Sequence, residues 1–297
     1  MKRTRERSEH RSRRAGPREL ELSARLYLVV QREISRLLSP LSLLLIWVAL
    51  RLVRGYRVEG LAAVRRETRE IRARGSAPLL VCANHLTMVD SFLIAWALGN
   101  PLWFILHFSA LPWNVPERLN FATKPWQKVV IYVLKCVPIH RGGRRGDVAD
   151  VLSRVAHLLR KNESVLIFPE GGRSRSGRVE VESAATGVGR VIRSVPDCRV
   201  LCVYLRGERQ SAYSFVPEHG DRIYAAVSEI EPKSDSSGLR GSRDLVRQVP
   251  EISFGQRKYM VRRGRGIWPL SIRWCRARRI SSCTTGPPML SLAPRLV

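Results

Sequence analysis

Apolar positions along this chain follow two different rhythms. Near the start, Leu26, Val30, Ile34, Leu37 and Leu41 recur at helical spacing, with Arg25, Arg32 and Arg36 beside them. The stripe then merges into an almost unbroken apolar run, Leu37 to Val53, interrupted by Pro40 and by Arg51 near its end. That run is short for a membrane span. An apolar helix with basic flanks instead predicts an anchor at a membrane surface; a helix packed into a protein core is the alternative. A cleaved signal peptide fits poorly, because the basic lead is long and no small-residue cleavage site follows.

Downstream the pattern alternates between short continuous apolar runs and amphipathic stretches. Pro78–Ala83, Leu102–Phe108, Cys136–His140, Ser164–Phe168 and Arg199–Leu205 are expected as strands. Arg65 to Arg74, Asp90–Leu98, Lys124–Lys135 and Ala184–Ser194 are expected as helices. The clearest helix runs from Asp147 to Lys161: Val148, Val151, Leu152, Val155, Leu158 and Leu159 share one face, with Asp147 as the expected N-cap. Ser242 to Val249 starts a further helix, after which Pro250 ends the apolar periodicity. Buried strands alternating with helices predict an α/β domain with a largely parallel sheet flanked by helices, preceded by the N-terminal helical anchor.

The expected division is therefore a basic disordered arm over 1–24, a helical membrane-associating segment over 25–56, a catalytic domain over 57–249, and a basic disordered tail over 250–297. The tail's loss of pattern is also what a shifted reading frame would produce.

Charge adds less than its size suggests. The 297 residues carry a formal net charge of +27, which predicts a polyanionic neighbour: nucleic acid, an anionic membrane surface or a phosphorylated substrate. Much of the excess lies in Met1 to Arg18 and in the tail, where Glu251 is the one acid. A basic nucleic-acid-binding protein is the rival class, but the chain has no RNP, helix-turn-helix or zinc pattern. The six cysteines show no CxxC pair and no metal-ligand spacing with histidine, so no metal is expected and a reducing compartment fits best.

Candidate chemistry collects after the expected strands. His85 follows one, Arg141 a second, Glu170 and Gly171 a third, and Arg206 a fourth; ligands bind outside the carboxyl ends of strands in open α/β sheets. His85 and Asp90, five residues apart, would diverge by about 140° on one helix. They can meet only if His85 lies in a turn and Asp90 opens the next helix. A carboxylate on one imidazole nitrogen leaves the other free to take a proton; a structural histidine beside a helix-capping acid is the plain alternative. In "IFPEGGRSRSG", Ile167 to Gly177, glycines permit close backbone approach and arginines can bind phosphate oxygens. Cys82 is a weak rival nucleophile, since strand alternation points it away from His85.

Asn84-His85-xxxx-Asp90, followed by Phe168-Pro169-Glu170-Gly171-x-Arg173-Ser174, resembles the glycerolipid acyltransferases, especially the 1-acylglycerol-3-phosphate acyltransferase family. "FATKPWQKVVIYVLKCVPIHRGG" is similar to that family's second region and "VLCVYLRG" to its fourth, so the resemblance covers about Val81 to Gly207. It implies transfer of a fatty acyl group from an acyl thioester, on coenzyme A or acyl carrier protein, to a lysophospholipid hydroxyl. Lysophosphatidic acid is the default acceptor and a lyso-aminolipid or another lysolipid the alternative. It further implies that His85 is the general base and that Asp90 orients it. Lys124 and Arg173 would bind the acceptor phosphate, Arg141 would support them, and Glu170, Gly171 and Ser174 would shape the acceptor site. No cofactor is implied beyond the acyl donor. The implied partners are membrane lipids, the lysophospholipid and the donor, at the cytoplasmic face of a membrane.

Overall fold

The computed structural model describes residues 20–174, 185–210, 213–236 and 238–249. Most of the expected arm (1–24), all of the tail (250–297) and Ala184 lie outside them. Helix α1 (Leu22–Val48) continues through a π-helical turn, Ala49–Val53. Then follow β1 (Arg57–Glu59), α2 (Leu61–Ala73), β2 (Leu79–Ala83), α3 (Asp90–Leu98) and α4 (Pro101–Leu106). Next come β3 (Trp113–Asn114), α5 (Arg118–Phe121), α6 (Pro125–Val133) and α7 (Arg145–Arg160). The remaining named elements are β4 (Val165–Ile167), α8 (Thr186–Ser194), β5 (Arg199–Gly207) and β6 (Arg222–Ile230), and a last helix occupies 238–249.

The strands form one six-stranded sheet in the order β1-β6-β5-β2-β4-β3. The expectation of a largely parallel sheet needs one correction. Four pairings are parallel, but β5 and β6 pair antiparallel along their whole length. A short return, with no helix between the strands, carries the chain from β5 to β6, and only an antiparallel pair can be closed that way.

β2 lies at the centre, so all five of its residues are buried and alternate between the two faces. Leu79, Val81 and Ala83 join one core with Leu93, Ile94 and Phe104. Leu80 and Cys82 join the other, with Val155, Leu159 and Val191 from α7 and α8.

Three local expectations are corrected. Leu102–Phe108 is not a strand: α4 covers most of it, because Asn100 caps the Trp103 amide at 2.7 Å and Pro101 takes the first helical position. Phe104 and Phe108 are buried while Leu102 and Leu106 are exposed, and a four-residue spacing satisfies both a helix and a strand. Cys136–His140 makes only isolated bridges, Asn114 to Cys136 and Glu117 to Ile139. Asp147 is not the N-cap of α7; Arg144 is, and Asp147 sits in the first turn, where its charge opposes the helix dipole.

Helix α1 is inside out. Its buried residues are Leu28, Gln31, Ser35 and Ser39, a mostly polar stripe, while Leu26, Val30, Ile34, Leu37 and Leu41 are exposed, Leu37 by 78 %. Gln31 donates to the carbonyls of Tyr132 and Cys136 at 3.1 and 3.0 Å, and Ser35 to that of Tyr132 at 3.1 Å. In water this arrangement would be costly; against lipid it is the favourable one. Leu22–Val53 is also, among the described residues, the helix long and apolar enough to cross a membrane. These features carry the association of the N-terminal helix with a membrane.

Candidate active site

β2 ends at Ala83, and α3 begins at Asp90. Asn84 prolongs the strand with its side chain: its amide donates to the Leu205 carbonyl at 2.9 Å and accepts from the Leu205 amide at 2.8 Å. The chain turn that follows therefore leaves the sheet from a fixed point, with His85 as its first free side chain. His85 Nδ1 lies 3.0 Å from Asp90 Oδ2. The same oxygen accepts the Leu86 and Thr87 amides at 2.6 and 2.8 Å, and the Thr87 hydroxyl donates to Oδ1.

Asp90 is buried, stands in the first turn of α3 and is saturated with donors, the setting in which a carboxylate stays ionised. With Nδ1–H donated to Asp90, His85 Nε2 keeps its lone pair. The imidazole stacks on Phe168, ring centres 4.0 Å apart and planes 15° apart, which limits its rotation.

Phe168 follows β4, the strand parallel to β2, so its turn reaches the same end of the sheet. Gly171 adopts φ +66°, a backbone conformation that a side chain resists. Its carbonyl accepts from Arg141 Nη1. Arg141 is also tied to Glu117, through its amide at 3.2 Å and its guanidinium at 3.5 Å. Burial lowers the guanidinium pKa and Glu117 works in the opposite sense. The Ser174 amide donates to the His85 carbonyl at 2.8 Å, joining the two turns. Arg173 lies 4.4 Å from the centre of the Tyr213 ring, and its buried Nη1 has no hydrogen-bond partner among the described residues.

His85, Arg141 and Arg173 all line one cavity of about 510 Å³, walled by apolar groups that include Trp47, Phe92, Trp96 and Phe104. This is the size and lining of a small-molecule site, apolar with a few convergent polar groups.

A family model described as Acyltransferase matches residues 56–206, just over half of the chain. The chain belongs to the acyltransferase family. No curated protein matches it.

In this acyltransferase not every expected group reaches the cavity. Lys124 is exposed at the N-terminus of α6 and is not part of the cavity wall. Arg206 remains within β5, opposite Tyr224, and donates to the Gln210 carbonyl at 2.7 Å. Glu170 is half-buried in the turn after β4, and Ser174 is buried behind His85. Cys82 is fully buried on the far face of β2. Burial, with Cys202 and Cys198 nearby, pushes its thiol well above the ordinary range and keeps it from acting as a nucleophile.

Four residues that matter to the geometry carried no distinct sequence signal as positioning groups. Asn84 anchors the turn, Thr87 holds Asp90, Phe168 stacks on His85, and Glu117 holds Arg141. Their partners lie up to 121 residues away in the chain.

Proposed function

We propose that this acyltransferase moves a fatty acyl group from an acyl thioester, on coenzyme A or acyl carrier protein, to the hydroxyl of a lysophospholipid. The favoured acceptor is 1-acylglycerol-3-phosphate, giving phosphatidic acid at the cytoplasmic face of a membrane. The observation that carries this reading is the His85–Asp90 pair at 3.0 Å beside Arg141 and Arg173 in a largely apolar cavity. A membrane-associated N-terminal helix fits a lipid acceptor.

In the reaction, His85 Nε2 removes the proton from the acceptor hydroxyl as that oxygen attacks the thioester carbonyl carbon. The carbon–sulfur bond then breaks, and the proton held by His85 passes to the departing thiolate. Asp90 steadies the imidazolium between these steps. The thioester is already activated, so no protein nucleophile is required. Arg173 and Arg141 bind the acceptor phosphate through charge-assisted hydrogen bonds, and the turn at Glu170 and Gly171 shapes that end of the site.

The test is a screen of acyl donors and lysolipid acceptors with purified full-length protein in detergent. Ester formation on 1-acylglycerol-3-phosphate is expected, and His85→Ala should lower the rate by about 10² to 10⁴-fold, the usual contribution of a general base. Product with a lyso-aminolipid alone would move the proposal to that acceptor. Undiminished activity in His85→Ala would end the catalytic assignment.

A further inference from the structure

Helix α6 runs PWQKVVIYV, apolar or aromatic at every position except Gln127 and Lys128, yet none of its residues is buried. A helix that is apolar around most of its circumference belongs in a core or in lipid. No core surrounds this one. Trp126 is 61 % exposed, Val129 63 % and Val130 44 %.

Its inner side is fastened to α1. Gln31 and Ser35 of α1 satisfy the Tyr132 carbonyl at its last turn, and the rings of Tyr27 and Tyr132 meet edge to face at 5.6 Å. The exposed face of α6 therefore adjoins the exposed apolar face of α1. Helix α4 also packs on α1 and leaves Leu102 and Leu106 exposed. Lys124 and Lys128, both exposed, flank Trp126.

We propose that α6 is a second membrane-docking element, lying in the interface of an anionic bilayer beside α1 and setting the cavity against the lipid. The proposal rests on the reading of α1 as membrane-associated. At 1.5 Å per residue α6 is only about 14 Å long, less than half of a hydrocarbon core of about 30 Å, so it lies in the interface and does not cross. Trp126 is the residue type that settles at headgroup level, and the lysines on either side meet anionic headgroups. Cavity walls come from the same helices: Ser35 and Ser39 of α1, Phe104 of α4, and Val130, Ile131 and Val133 of α6. A lipid chain can pass from the bilayer to His85 between these helices without crossing water. This places Lys124 at the lipid surface, in keeping with its exposure.

The test uses the full-length chain with Cys275→Ser and Cys283→Ser, since Cys82, Cys136, Cys198 and Cys202 are buried. A single cysteine is introduced by Val129→Cys or, as a control on α2, by Glu70→Cys, and is labelled with an environment-sensitive fluorophore. The protein is reconstituted with phosphatidylcholine vesicles, with or without phosphatidylglycerol, carrying spin-labelled lipid. The label at 129 should shift to the blue and be quenched by shallow spin labels, more strongly with phosphatidylglycerol, while the label at 70 stays unquenched. In flotation, Trp126→Ser with Val129→Ser should lower vesicle-bound protein several-fold. An unquenched label at 129 in protein that floats with the vesicles would overturn the proposal. A blue shift without vesicles, accompanied by a doubled mass, would overturn it too, because a second copy would then cover the face. Neither readout needs acyl transfer, so quenching in a protein inactive toward every acceptor would sink the proposed reaction and leave this inference standing.

Discussion

Asp90 takes hydrogen bonds from His85, from two backbone amides and from the Thr87 hydroxyl. One side chain thus fixes the loop and selects the histidine tautomer together, so the structural and catalytic readings of this pair coincide. Arg173 is different in kind. Its guanidinium rests on Tyr213 and keeps a buried Nη1 without a hydrogen-bond partner among the described residues. A buried donor in that condition is costly until a ligand satisfies it. Arg173→Ala should raise the KM for a phosphate-bearing acceptor by roughly 10- to 100-fold, the equivalent of one charge-assisted hydrogen bond, with little change in kcat. An acceptor without phosphate should be nearly indifferent to the substitution. Equal loss with both acceptors, measured in parallel steady-state assays, would assign Arg173 to the donor or to the fold.

At the scale of elements, the closest approach in the domain is between α8 and the helix over 238–249. A Cβ built on Gly189 would stand 1.8 Å from the Ser242 carbonyl oxygen, a contact no side chain tolerates. Ser242 is fully buried, and Leu245, Val246 and Val249 of the same helix complete the core on that face of the sheet. Gly189→Ala must therefore push the helix outward and open that core, at a cost of about 1–3 kcal/mol, the usual range for overpacking. Thermal unfolding in detergent should show the loss, while the His85–Asp90 geometry on the opposite side of β2 keeps much of the activity. A variant as stable as the parent would mean that the two helices are not held this tightly.

For the molecule as a whole, one buried charge network ties the membrane helix to the catalytic domain. Lys135 Nζ donates to Glu163 at 2.8 Å and to the carbonyls of Phe108 and Leu111 at 3.1 and 2.9 Å. Glu163 also accepts from Arg32 of α1 at 2.7 Å and from Trp113 at 2.8 Å. Burial pushes the Glu163 carboxyl up, but Lys135, Arg32 and Trp113 outweigh it and hold the group low. For Lys135 burial prevails over Glu163 and brings the ammonium down from 10.5 to about 8. The folded protein then releases this proton near pH 8, whereas the unfolded chain keeps it to about 10.5. Between those values the unfolded state binds more protons, so raising the pH favours folding. The unfolding free energy of the parent, relative to Lys135→Met, should rise across pH 8 to 10.5 by about 3 kcal/mol at most. Titrating the difference cancels the cysteines and tyrosines that ionise in the same range. A flat or falling difference would contradict the assignment.

The sequence by itself determined what depends on near neighbours in the chain. The periodicity of 147–161 and the glycine-rich turn after β4 were legible, and so was the pairing of His85 with Asp90 across a strand-to-helix turn, because each is a matter of a few residues and their local geometry. Where two periods coincide, as in Leu102–Phe108, the pattern could not choose, and the cap at Asn100 decided for the helix. Only the tertiary structure decided which distant groups share the cavity. Arg141 reaches Gly171 and Arg173 lines the same wall as His85, whereas Lys124 stays outside. That outcome depends on strand order and on the packing of helices far apart in sequence. The same holds for the direction in which α1 faces. A stripe of leucines looks alike toward a core and toward lipid, and it was the burial of Gln31, Ser35 and Ser39 that turned the apolar side outward.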